Sequence, residues 1–119
     1  KDNTFELIRD AHIVIGHCST VLQYAILLKK PIIIATTDEI EQASYAKYWK
    51  HWIDSFALIL GKKVINFNNL SNLNNFEDYL KVDHKKYDLY IEKFVKTKNS
   101  PKKKLWNIVI ERIDRDIFL

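Results

Sequence analysis

The sequence has no methionine, one cysteine, two glycines and two prolines, and no apolar run near the roughly 18 to 20 residues that span a bilayer. Each scarcity excludes a class. A single cysteine closes no internal disulfide and builds no cysteine-rich zinc site, so a reducing compartment, the cytoplasm, is the expectation. Few glycines and prolines beside fifteen aromatic residues exclude collagen-like and low-complexity chains and a loop-rich sandwich. No signal-peptide series opens the chain. Without an initiator methionine, and opening inside a helix lead-in, the chain reads as a piece of a longer protein.

What is present suits one domain: 119 residues, 47% of them hydrophobic. The net charge of +4 is unevenly spread. Residues 1–80 carry 8 basic and 9 acidic side chains, whereas residues 81–119 carry 11 and 6. The basic character belongs to the tail.

The hydrophobic period changes along the chain. "DNTFELIRDA" offers Asn3 as an N-cap with Glu6 three residues on, a short helix. "HIVIG" (12–16) is a β-branched run, apolar at consecutive positions, as expected of a strand buried on both faces of a parallel sheet. From Ser19 the spacing turns helical as far as Lys29-Lys30, and Pro31 stops it. "IIIAT" (32–36) is a second buried strand. "TTDEIEQ" caps a helix expected over about 39–60, closed by Gly61, and "KVINF" (63–67) is a third strand. Helical crossovers between successive strands make them parallel. The fold expected is α/β, a Rossmann-like half domain of about three parallel strands flanked by helices. It occupies 1–70. Residues 66–75, with six asparagines, read as a loop. Residues 71–119 read as a helical segment packing back on the same domain.

Open parallel sheets bind ligands beyond the carboxyl ends of their strands. Two polar clusters fall there. His17, Ser19 and Thr20 follow the first strand at a helix start, where backbone N–H groups favour an anion and both hydroxyls can donate to it. Thr37, Asp38 and Glu39 follow the second strand, where acids can accept from sugar hydroxyls, as at ribose in dinucleotide folds. Simple helix capping explains the same hydroxyls, and helix-dipole complementation the same acids. Cys18 reads as a small buried apolar residue, and a Cys18–His17 nucleophile pair is set aside because adjacent side chains point apart. His12, His51 and His84 show no metal spacing, and no metal or cofactor is expected.

The stretch "AHIVIGHCSTVLQYAILLKKPIIIATTDE" resembles the donor-binding half of bacterial glycosyltransferases of the GT-B type, above all those of capsule and surface polysaccharide synthesis. The resemblance covers about residues 4–67, and the tail more loosely. In that family two Rossmann-like domains face each other across a cleft, and the C-terminal one holds the activated donor. A Ser-Ser or Ser-Thr pair at a helix start binds the donor phosphate in its sialyltransferases. The resemblance implies that Ser19 and Thr20 bind phosphate with His17 nearby, that Asp38 or Glu39 approaches the donor sugar, and that the partner is a UDP- or CMP-linked sugar. No His precedes a Pro here, so the sialyltransferase His-Pro motif is missing and a CMP-sialic acid donor is not implied. The acceptor domain is not among these residues, so the chain alone is expected not to catalyse transfer. UDP-N-acetylglucosamine 2-epimerases share the architecture and a similar strand-Ser-helix junction. A reading from another class is a non-catalytic module completed by a partner chain or by self-association into a homo-oligomer.

"KFVKTKNSPKKKLW" interleaves six lysines with Phe94 and Trp106. An anionic membrane surface, the inner face in a cytoplasmic protein, would suit it. A solvated surface with Phe94 and Trp106 turned to the core suits it equally. No nucleic-acid motif accompanies the lysines and arginine is scarce, so nucleic acid is not expected.

Overall fold

The computed structural model describes residues 3–117. Three parallel strands, β1 (Val14–Gly16), β2 (Ile32–Thr36) and β3 (Val64–Asn66), lie in the order β1-β2-β3. Ile15 pairs with Ile33, and Ala35 with Ile65. The α/β half domain read from the sequence is the architecture observed.

Around the sheet run α1 (Thr4–Asp10), α2 (Val21–Leu27), α3 (Asp38–Gln42), α4 (Ala46–Leu60), α5 (Phe76–Leu80), α6 (His84–Tyr90) and α7 (Leu105–Ile117). A short 3-10 turn (Leu70–Asn72) interrupts the asparagine-rich loop, and a π-helical turn (Ile91–Val95) continues α6. When strand order follows chain order, right-handed crossovers put both connecting helices on one face. The main core lies there: Leu22, Ala25 and Ile26 of α2 and Ile53, Ala57 and Leu60 of α4 meet Ile32 and Ile34 of β2. Tyr87 and Tyr90 of α6 complete it. Ile33 and Ile65 are buried on the opposite side, where α5 packs against β2.

Helix ends follow from the chain. Leu28 ends α2, and Lys29 then takes a left-handed conformation (φ 55°), with Lys29 N–H donating to the Ile26 carbonyl (3.1 Å) and Lys30 N–H to that of Ala25 (2.9 Å). This is a Schellman closure with lysine where glycine is usual. Gly61 closes α4 the same way at φ 68°. There a side chain would be strained and would also meet Lys86, whose Nζ lies 2.6 Å from the position a Cβ would take.

Two expectations are corrected. The helix expected over 39–60 is two helices, because Ala43 is extended (φ −60°, ψ 149°). No residue of α3 is fully buried, and it meets the core only through the partly buried Ile40. The first strand is not buried on both faces either. Ile15 is 56% exposed, because β1 is an edge strand and α5 covers its neighbour.

The C-terminal elements differ among themselves. The phenol of Tyr87 donates to the Lys30 carbonyl (3.1 Å), and Lys29 forms an ion pair with Asp88, fixing α6 beside the end of α2. In α7, by contrast, Trp106, Ile110 and Ile113 are 72, 54 and 49% exposed. Among the described residues no hydrogen bond or ion pair joins α7 to an earlier element. The molecule is accordingly long, 64 × 33 × 33 Å.

Candidate functional site

β1 ends at Gly16 and β2 at Thr36, so both polar clusters lie along the carboxyl edge of the sheet. Their side chains have different surroundings.

At the end of β1 the two hydroxyls divide the work. Ser19 Oγ accepts from the Val21 backbone N–H (3.2 Å), capping the first turn of α2. Its own proton remains available to an acceptor. Thr20 makes no capping bond and instead lines a cleft of about 370 Å³ with Cys18, Tyr48, Trp49 and Trp52. His17 stands edge-on to Trp49, with ring centroids 5.9 Å apart. Burial pushes the Cys18 thiol above its usual pKa, which keeps it protonated and a poor nucleophile at neutral pH.

The aromatic wall comes from α4, which carries two stripes. Ala46, Ile53, Ala57 and Leu60 are buried, the last three in the core cluster against the sheet. Tyr45, Tyr48, Trp49 and Trp52 repeat at three- and four-residue steps on another face and are 58, 76, 41 and 65% exposed. The helical period of residues 39–60 does not separate these two faces. The available signal was their number, since one helix side seals a core and a second set of large aromatics needs another use.

At the end of β2 the polar groups hold the turn together. Thr37 Oγ1 accepts from Ile40 N–H (3.3 Å) and caps α3. Asp38 N–H donates to Asn68 Oδ1 (2.9 Å), and Asp38 Oδ1 accepts from Asn66 Nδ2 (2.7 Å). Asn68 N–H in turn donates to Asn66 Oδ1 (2.9 Å). These bonds tie the turn after β2 to the turn after β3, and they give two of the loop asparagines a purpose. Glu39 is exposed, and a backbone N–H with the Thr37 hydroxyl holds its carboxyl below the usual range. The structure therefore gathers His17 and Thr20 with the aromatics of α4, and Thr37 and Asp38 with Asn66 and Asn68. No hydrogen bond between the two groups is seen among the described residues.

A second cleft, about 320 Å³, lies near the start of β3 and is lined in part by Lys62, Lys63, Asp78 and Lys81. Two of these three lysines are engaged. Lys62 donates to the carbonyls of Tyr79 (2.8 Å) and Lys81, its pKa lowered by burial, and Lys81 pairs with Asp78 (2.5 Å). Among the described residues no three His, Cys, Asp or Glu side chains are grouped as a metal site requires.

Fold and site together define a parallel α/β half domain with an aromatic cleft at the carboxyl edge of its sheet. No protein-family model matches the sequence, and no curated protein or solved structure is significantly similar to it.

Proposed function

We propose that the chain is the donor-binding half of a GT-B-like glycosyltransferase of capsular or surface polysaccharide synthesis, holding a nucleotide-activated sugar along the carboxyl edge of its sheet. The observation that carries the reading is the cleft that Tyr48, Trp49 and Trp52 line together with Thr20. A nucleotide offers a flat base and an anion, and this cleft offers flat aromatic faces and a hydroxyl donor. Stacking of a base on an aromatic ring contributes about 1–3 kcal/mol. Thr20 and the free proton of Ser19 would hold the phosphate and stabilise its charge as the glycosidic bond breaks. With only seven residues, α2 adds little dipole of its own, so the hydroxyls and exposed N–H groups carry the anion. Glu39 is ionised and open to sugar hydroxyls, while Asp38 holds the turn beside it.

The experiment is a thermal-shift screen with CMP, UDP, GDP and their sugars, on the wild type and on Thr20→Ala and Trp49→Ala. A ligand that binds only the folded state raises Tm. The reading requires at least one nucleotide to raise Tm, and each substitution to shrink that rise. No shift from any nucleotide, or equal shifts in all three proteins, ends it.

A second reading rests on β1. Its outer edge has no strand partner among the described residues, and Ile15 is largely exposed beside it. A non-catalytic module that pairs with a second copy through this edge would be an obligate dimer indifferent to nucleotides, which sedimentation would reveal.

A further inference from the structure

The charge of this protein is concentrated in the part that leaves its body. Lys96 to Ile117 carries seven basic and three acidic side chains, which is the whole formal net charge of +4; the remaining residues balance, twelve against twelve. This segment contains α7, whose Trp106, Ile110 and Ile113 fall on one side of the helix at three- and four-residue steps and are all exposed. Phe94, just before the segment, is 56% exposed, so neither aromatic of the basic stretch is turned to the core. The remaining acid–base contacts leave the excess positive. Lys103 pairs with Glu111 (2.6 Å) and Lys98 with Glu92 (3.4 Å), while no ion pair of Lys96, Lys102 or Lys104 is seen among the described residues.

An amphipathic helix with one apolar stripe and a tryptophan at its start suits a lipid interface, and here the positive charge is supplied by the five lysines before the helix, since within it Arg112 and Arg115 are outnumbered by Glu111, Asp114 and Asp116. We propose that Lys96 to Ile117 docks on an anionic bilayer surface, with Trp106, Ile110 and Ile113 in the headgroup boundary and the lysines on the lipid phosphates. The charge distribution selects this occupant. An electroneutral body gains nothing from an anionic surface, whereas the cationic segment does, and a bilayer buries the apolar stripe at the same time. A nucleic acid would engage the lysines and leave the stripe in water. No helix of the described residues is long and apolar enough to cross a membrane, so the contact is peripheral.

Vesicle flotation tests this with two compositions, phosphatidylcholine alone and phosphatidylcholine with about 30% phosphatidylglycerol. The protein floats with the anionic vesicles and not with the neutral ones, and high salt weakens binding about tenfold or more. Lys102→Gln with Lys103→Gln and Lys104→Gln weakens it about a hundredfold. Ile110→Asp with Ile113→Asp abolishes it while the Tm of the body stays unchanged, which separates lost docking from lost folding. Equal flotation with both vesicles, or with neither, overturns the proposal. So does concentration-dependent self-association that the paired Ile substitutions abolish, which gives the stripe to a second copy. Retention by duplex DNA tighter than by anionic vesicles assigns the lysines to nucleic acid and overturns it equally.

Discussion

Ser19 and Thr20 are neighbours in sequence with separate duties in the fold. Ser19 accepts a backbone N–H at the start of α2, so Ser19→Ala lowers stability by about 0.5–1 kcal/mol in urea unfolding. Thr20 has no such bond and faces the cleft, so Thr20→Ala leaves the urea midpoint in place and weakens nucleotide binding about tenfold. Equal stability losses at both positions would show that both hydroxyls serve only as caps. Tyr87 gives a prediction in pH. Its side chain is fully buried, and burial pushes the phenol up to about 12, against about 10 in the unfolded chain. The folded state holds the proton more tightly, so this contribution is complete below pH 10 and is lost as pH rises from about 10 to 12, about 2–3 kcal/mol in all. Tyr87→Phe forfeits the bond to the Lys30 carbonyl, costs about 1 kcal/mol at neutral pH, and flattens the alkaline decline. Tyr90, also raised by burial, leaves a residual slope. Urea midpoints at pH 8, 10 and 11 for both proteins check the difference.

Among the elements, α4 separates what the sequence makes legible from what it hides. The apolar runs of β2 and β3, the helical period after Ser19 and the Gly61 stop each have one local cause, and the elements lie where those causes put them. The break at Ala43 does not, because it depends on whether α3 finds a core to pack on. Exposure of Ile15 likewise depends on what lies outside an edge strand, which the residues of the strand do not encode. The two stripes of α4 were visible as letters but not as faces. Only the structure assigns Ile53 to the core and its neighbour Trp52 to the cleft. Stability measurements should therefore split these adjacent residues sharply. Ile53→Ala removes a side chain that is 2% exposed and costs about 2–4 kcal/mol. Trp52→Ala removes one that is 65% exposed and shifts stability by about 0.5 kcal/mol or less, despite the larger deletion. Comparable losses at the two positions would mean that the aromatic stripe is structural.

At the scale of the whole molecule, the radius of gyration is 17.9 Å, well above the about 13.5 Å of a compact chain this long. A neutral α/β body thus carries its candidate ligand site at one edge of the sheet and its charge on the lysine-rich segment that leads into α7. The carboxyl edge was legible in the sequence, because strand direction and crossover lengths alone place His17 to Thr20 and Thr37 to Glu39 there. The partner face was not, since it comes from a helix some thirty residues away in the chain, and its Trp49 meets His17 only in the folded state. The measurement that bears most directly on the donor-binding claim is a tryptophan-fluorescence titration with UDP and CMP in a Trp106→Phe background, which leaves Trp49 and Trp52 as the only emitters. A base stacked between the α4 aromatics quenches that emission saturably, and Thr20→Ala moves the midpoint to higher nucleotide concentration. Emission that stays flat through millimolar nucleotide, or a midpoint that Thr20→Ala leaves unmoved, contradicts the site.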